Sequence, residues 1–196
     1  MILQPPAVGS YGAAEYIRFF GRVAAETDLP VGIQNAPAYL GRGLSEADIA
    51  EMTQTYPNIR LLKGEGPAVE IERLIATTER RLPVFNGRGG LELVDNLRAG
   101  CAGFILAPDL IDVAVEAYRL YRSGDETGAE AAYRRMLPAA TFVMQSLETL
   151  ICYGKRLFAA RAGLDVRDRA PALAPSDFGR ECVGLYARSL GPIGPV

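Results

Sequence analysis

Five short apolar runs rich in β-branched residues alternate with segments of helical period, and that alternation restricts the chain to a parallel β/α architecture. The runs are Ile2-Leu3, Val31-Gly32-Ile33-Gln34, Ile59-Arg60-Leu61-Leu62-Lys63, Pro83-Val84-Phe85-Asn86 and Gly103-Phe104-Ile105-Leu106. Between them Tyr16, Phe20, Val23 and Ala24 share one helical face, as do Ile49, Met52 and Tyr56, and again Ile71, Leu74, Ile75 and Thr78. Tyr11, Tyr16, Phe19 and Phe20 read as core contacts of the first helix, not as a base-stacking surface. The boundaries agree: Ser45 three residues before Asp48 forms an approximate capping box, Pro67 suits a first helical turn, and Pro30 and Pro83 sit at strand starts.

After Leu106 no further strand signal appears. Asp109 to Arg122 and Thr127 to Gly163 read as helical, with a break expected near Pro138. From Leu164 the chain is rich in Pro, Gly and Ala, and reads as an extended segment with a short helix near Phe178 to Ser189. The expected organisation is therefore β/α units over 1–108, a helical region over 109–163 and an extended tail over 164–196. Two α/β architectures fit: a small five-stranded parallel domain, or the latter part of a TIM (β/α)8 barrel followed by C-terminal helices. At 196 residues the chain is too short for a whole barrel, which takes roughly 250 residues and eight strands.

Composition narrows the chemistry. There is no His, so Ser-His-Asp and Cys-His nucleophile systems lack a base and imidazole metal sites are excluded. Cys101, Cys152 and Cys182 are too far apart for a metal knuckle or redox pair, and read as reduced thiols of a cytoplasmic protein. A net charge of −2 without a basic block argues against nucleic acid, and no apolar run approaches the roughly 20 residues that span a bilayer. The first residues carry no basic region of a signal peptide.

In β/α proteins chemistry sits at the C-terminal ends of the strands. Those ends read Gln4-Pro5-Pro6, Gln34-Asn35-Ala36-Pro37, Lys63-Gly64-Glu65-Gly66, Asn86-Gly87-Arg88-Gly89-Gly90 and Ala107-Pro108-Asp109. Lys63 stands out, because the chain holds only Lys63 and Lys155 beside nineteen Arg. Partly apolar surroundings at a strand mouth disfavour an ammonium and free the amine to attack a carbonyl; a lysine that snorkels to solvent is the alternative. Lys155, beside Arg156 in a helical segment, reads as a solvated surface charge. Glu65, two residues beyond Lys63, shares its face if the strand persists, and either moves a proton beside an imine or pairs with Lys63 as a salt bridge. The turns Gly64-Glu65-Gly66-Pro67 and Gly87-Arg88-Gly89-Gly90 open helices, yet Val69 and Glu92 occupy the third-glycine positions of a dinucleotide fingerprint. Close backbone approach to a small substrate, with Arg88 near an anionic group, fits these glycines better than a nucleotide.

Taken in order, Asn35-Ala36-Pro37 with Gly41, Lys63, Asn86-Gly87 and Gly100-x-x-Gly103-Phe104-Ile105 resemble the dihydrodipicolinate synthase / N-acetylneuraminate lyase superfamily of Schiff-base (β/α)8 barrels. The likeness runs over essentially the whole chain and begins at the family's fourth strand, so a partial barrel of about strands 4 to 8 is implied. Lys63 matches the Schiff-base lysine that ends the sixth strand. Gln34 stands where synthases and aldolases of the family carry a catalytic tyrosine, Tyr39 replaces an arginine for a substrate carboxylate, and Val8 stands near a second relay tyrosine. Gln34 to Gly41, Lys63-Gly64-Glu65 and Phe85 to Gly90 are most similar to the branch of sugar-acid dehydratases that act on L-2-keto-3-deoxyarabonate.

That resemblance implies Lys63 and Glu65 as catalytic residues and Gln34, Asn35, Tyr39, Asn86, Gly87, Arg88 and Gly89 as substrate-binding residues. It further implies a small 2-keto acid as substrate, no metal or organic cofactor, no nucleic acid or membrane partner, and a homo-oligomer, since intact relatives are commonly tetramers. The competing expectations are an aldolase or synthase of the same superfamily, or a silent fragment, because the family's carboxylate-binding motif from its first three strands has no counterpart in this chain.

Overall fold

The structure, a computed structural model, describes residues 1–6, 9 and 11–194; Val8 lies outside the described residues. In chain order the elements are β1 (Ile2–Leu3), α1 (Ala13–Ala25), β2 (Val31–Asn35), α2 (Pro37–Leu40), α3 (Glu46–Thr55), β3 (Ile59–Gly64), α4 (Ala68–Thr77), β4 (Val84–Asn86), a tight turn over Arg88–Gly90, α5 (Leu93–Ala99) and β5 (Gly103–Phe104). A 3₁₀ turn (Pro108–Leu110) then leads into α6 (Ile111–Arg122), α7 (Glu126–Val143), α8 (Leu147–Thr149), a π turn (Leu150–Gly154), α9 (Lys155–Ala162) and α10 (Asp177–Leu190). The chain divides into two compact units, one of residues 1–87 and 95–105, the other of 88–94 and 106–196.

In the first unit the five strands are all parallel and pair in sequence order, β1-β2-β3-β4-β5. Sequential order is the arrangement of a (β/α)8 barrel arc; a doubly wound sheet reverses direction at a switch point. Register sorts the side chains. Leu3, Ile33, Leu62 and Val84 are aligned neighbours, and the last three are almost fully buried. With Phe20, Ile49, Met52, Ile71, Leu74 and Ile75 from the helices they form one apolar cluster. The alternate positions Leu61, Lys63 and Phe85 fall on the other face of the sheet. Ser45 and Asp48 cap α3 reciprocally.

The second unit is helical. α6 and α7 lie side by side, with Ala114, Ala117, Ala129, Ala132, Ala139 and Ala140 buried and a two-pronged Arg135–Glu116 pair outside. Pro138 does not break α7, contrary to the expectation from sequence. It is exposed, so the hydrogen bond it forfeits, to the Arg134 carbonyl four residues back, lies on the solvent side. The interruption falls instead after Met144, where Ser146 leaves helical geometry and caps α8. Lys155 is likewise no lone surface charge: it donates to Asp168 at 2.6 Å and to the Arg167 carbonyl. Arg156, the stronger influence, and Lys155 hold the Asp168 carboxyl down at about 2. Those bonds fasten the extended segment to α9.

The centre of the second unit is Arg161, whose side chain is wholly buried. It donates two parallel bonds to Asp112, at 3.0 and 2.6 Å, and further bonds to the carbonyls of Asp109 and Gly191. Burial works against ionised Asp112, but Arg161 and the Gly194 N–H outweigh it and hold the carboxyl below its usual range. Asp109 goes the other way: burial raises it above the ordinary value, and its Oδ2 has no hydrogen-bond partner among the described residues. Among the described residues no helix is long and apolar enough to cross a membrane.

A depressed folded-state value means that Asp112 contributes stability in full above its ordinary value of 3.8 and loses it as pH falls below that value. Asp112→Ala also strands Arg161 as a buried unpaired cation. We expect it to lower the unfolding free energy by about 3–5 kcal/mol at neutral pH. We also expect the variant to lose less stability between neutral and acid pH than the wild type, because the Asp112 share of that loss is gone. Urea unfolding by circular dichroism at neutral pH and below about pH 4 measures both.

Candidate active site

Parallel pairing of β2 with β3 places Gln34 directly opposite Lys63. Paired residues of parallel strands project to the same side of the sheet, so amide and amine share a face. The ladder continues one step beyond β3, with Glu65 N–H bonded to the Asn35 carbonyl, and this keeps Glu65 on the Lys63 face. Lys63 Nζ lies 3.3 Å from Glu65 Oε2, and the two side chains are only 17% and 11% exposed. Gln34 donates its Nε2 to the same Oε2 at 2.6 Å and accepts from Gln4 Nε2 at 2.8 Å. An ion pair and two amide hydrogen bonds thus link an amine, a carboxylate and two primary amides at the C-terminal ends of β1, β2 and β3.

Opposite parity sends Asn35 and Asn86 the other way. Asn35 bonds the backbone of Leu44 twice, through Oδ1 at 2.8 Å and Nδ2 at 3.0 Å, and so fastens the loop before α3. Asn86 is completely buried; it donates to the Gly66 carbonyl and Asn96 Oδ1 and accepts from Gly87 N–H. Its hydrogen-bonding capacity is consumed by protein, which makes it a strut between two strand-end loops. Both amides therefore brace loops on the helix side of the sheet. Tyr39 lies half-buried on α2, and no described hydrogen bond ties it to Lys63 or Glu65.

Gly87 acts by what it lacks. A Cβ built there would stand 2.1 Å from Glu65 Oε1, so the carboxylate occupies the space a side chain would need. Arg88 and Gly89 belong to the second unit. Arg88 takes the left-handed conformation at φ 49° and pairs with Glu92 at 2.6 Å, while Tyr133 OH accepts from Glu92 N–H. Cβ atoms on Gly89 and Gly90 would sit 2.4 and 2.7 Å from Met144 and Met136 of the same unit. Close packing, together with the left-handed backbone, therefore accounts for this glycine pair.

Two residues of the network escaped the reading of the sequence as functional. Gln4 carried a signal, since it lies two residues past Ile2 and so shares the parity of Gln34 and Lys63. Asn96 carried none, being an ordinary helical position ten residues from its partner. Cys101, also in this unit, is no second nucleophile: burial pushes its thiol up to about 12, against a smaller opposing effect of the Asn86 backbone. A cleft of about 660 Å3, lined by Ile59, Arg60, Thr78 and Pro83, opens at the N-terminal ends of β3 and β4, away from this chemistry. No group of three or more metal-ligating side chains occurs among the described residues.

Gly87→Ala tests the packing of the carboxylate. Since real Cβ contacts stay above 3.0 Å, Glu65 Oε1 must retreat by about 1 Å from its 2.1 Å position. The obstacle is the tip of a flexible side chain, so stability should change by less than about 1 kcal/mol. A crystal structure of the variant should show Glu65 displaced from Lys63, with the melting temperature nearly unchanged.

Residues 6–183 match the dihydrodipicolinate synthetase family. Among solved structures the chain is similar to a dihydrodipicolinate synthetase-type protein from Pseudomonas aeruginosa (TM-score 0.87, 24% identity), with 96% of this chain and 65% of that one covered. It is also similar to YagE, a prophage protein of the dihydrodipicolinic acid synthase family from E. coli K12 described in complex with pyruvate (TM-score 0.86, 21% identity, 96% and 65% covered). A third is a dihydrodipicolinate synthase family protein from Coccidioides immitis (TM-score 0.75, 25% identity, 96% and 64% covered). No curated protein matches the chain. The chain thus spans just under two thirds of the length of these relatives, and its fold is the corresponding part of their barrel, five parallel strands followed by C-terminal helices. With a family match over nearly its whole length, the chain belongs to the dihydrodipicolinate synthetase family.

Proposed function

We propose that this chain carries the reacting centre of a Schiff-base hydro-lyase acting on a 2-keto-3-deoxy sugar acid such as L-2-keto-3-deoxyarabonate. The observation that carries the proposal is the 3.3 Å approach of Lys63 Nζ and Glu65 Oε2 in a nearly enclosed setting. A lysine attacks a carbonyl only as the free amine, and an adjacent carboxylate is a ready acceptor for the proton it must shed.

The steps balance as follows. Lys63 adds to the C2 ketone and water leaves, forming a protonated imine that acidifies the C3 hydrogens. Glu65 removes a C3 proton, giving an enamine, and returns it to the C4 hydroxyl, which departs as a second water. A proton then passes from C5 to C3, so that the C5 carbinol becomes an enol and then an aldehyde. Addition of water releases 2,5-dioxopentanoate and restores the amine, and the net change is the loss of one water. The imine is the electron sink, so the sequence of steps needs no organic cofactor. Gln34 favours this reading over aldol cleavage, because an amide cannot take the C4 hydroxyl proton as the family's tyrosine can. Asn35 and Asn86 hold the loops around this centre, while Tyr39 would meet the distal hydroxyls of the sugar acid.

Borohydride reduction in the presence of pyruvate or the sugar acid should leave a mass adduct on Lys63, and Lys63→Ala should abolish it. Glu65→Gln should keep the adduct while turnover falls by roughly 10²–10⁴. A folded sample without any adduct would overturn the enzyme reading. Release of pyruvate plus an aldehyde, instead of a semialdehyde that keeps all the carbons, would point to an aldolase.

A further inference from the structure

Glu65 Oε2 pairs with the Lys63 ammonium, 3.3 Å away, and accepts a hydrogen bond from Gln34 Nε2 at 2.6 Å, and those two residues are register partners on adjacent strands. An ionised carboxylate can only accept hydrogen bonds. Gln34 must therefore turn its NH₂ toward Glu65, which leaves its carbonyl oxygen facing Gln4. Gln4 in turn must present its own NH₂, and it does so at 2.8 Å. The orientation of both amides is thus dictated from one end of the chain.

We propose that Gln34 is a positioning residue for Glu65, and that Gln4, Gln34 and Glu65 form a polarised relay whose direction follows the proton on Glu65. Resting on the Schiff-base reading above, the inference replaces a substrate contact for Gln34 with a role exerted through the carboxylate. While Glu65 is ionised, Gln34 donates to it. Once Glu65 holds the C3 proton it becomes a donor itself, and the matching partner is the Gln34 carbonyl. The terminal torsion of a glutamine is soft and roughly two-fold, so a half-turn exchanges NH₂ and oxygen without moving the rest of the side chain. Gln4 follows by the same half-turn, and because it is exposed at the end of the chain, solvent satisfies its free side. No proton travels through the amides. The relay lets Glu65 stay beside Lys63, with its hydrogen bonds satisfied, in both protonation states.

The test pairs kinetics with a spectroscopic readout on the full chain. Gln34→Leu should retain the pyruvate adduct on Lys63 and a KM within about threefold. Its kcat should fall roughly 10–100-fold, with the acid limb of the pH profile displaced upward, because an N–H donor that favours the carboxylate form is gone. Gln34→Glu should displace that limb further, since two carboxyl groups at this spacing share a proton. Gln4→Leu should shift it in the same direction by a smaller amount. A raised KM with kcat and pH profile unmoved would overturn the proposal in favour of a substrate contact. An unmoved profile in all three variants would overturn it in favour of simple packing. Nitrogen-15 spectra without substrate give the independent arm: the side-chain amides of Gln34 and Gln4 should shift together in one pH transition that Glu65→Leu removes. Amides that do not respond to pH would overturn the relay even where the Lys63 adduct forms. A missing adduct with responsive amides would strike only the Schiff-base reading.

Discussion

The pairing register of β2 with β3 is the constraint on which the candidate site depends. Because Ile33 aligns with Leu62 and Gln34 with Lys63, one face of the sheet is committed to the apolar cluster under the helices, and Gln34 and Lys63 project together from the other. Side chains alternate strictly along a strand, so a slip of one residue would carry Lys63 into the layer that Leu62 occupies and expose Leu62 in its place. Burial of Ile33, Leu62 and Val84 therefore fixes where the amine points. The site inherits its geometry from the hydrophobic core, with no separate device needed to aim it.

Loops beyond the strand ends preserve that geometry by hydrogen bonds made on the opposite face. Asn35 ties down the Leu44 backbone and Asn86 joins Gly66, Gly87 and Asn96, so the chain segments that carry Glu65 and Gly87 are held from behind. Gly87 then supplies the room that the Glu65 carboxylate fills. Polar residues at alternate positions of one strand end thus divide between chemistry and bracing. A buried, fully satisfied amide is well suited to bracing, because losing any one of its bonds leaves a buried group unpaired.

The second unit is organised around a charge where the first is organised around apolar packing. Arg161 collects the start of α6 and the segment after α10 through Asp112, Asp109 and Gly191. Such a cluster stabilises only while every member is paired, and Asp112 supplies the one bidentate partner. Asp109 is the exception within it: its Oδ2 has no hydrogen-bond partner among the described residues, and burial raises its carboxyl above the ordinary value.

Sequence periodicity by itself determined the five strands and the helices α1, α3 and α4 between them, because alternation and amphipathic faces are written in the order of residues and need no distant contact. The same parity rule also held information about Asn35 and Asn86, which lie two residues past Ile33 and Val84 on their own strands and so fall on the helix side; treating each strand end as one polar group concealed it. The helix break was misplaced at Pro138 because proline costs a hydrogen bond only where water cannot replace it, and exposure is a property of the packed helix. Tertiary structure alone decided that Gln4 completes the chain to Glu65, that Asn96 backs Asn86, and that Gly87 makes room for a carboxylate. Those contacts join residues 10 to 31 positions apart, and only the folded register brings them within hydrogen-bonding distance.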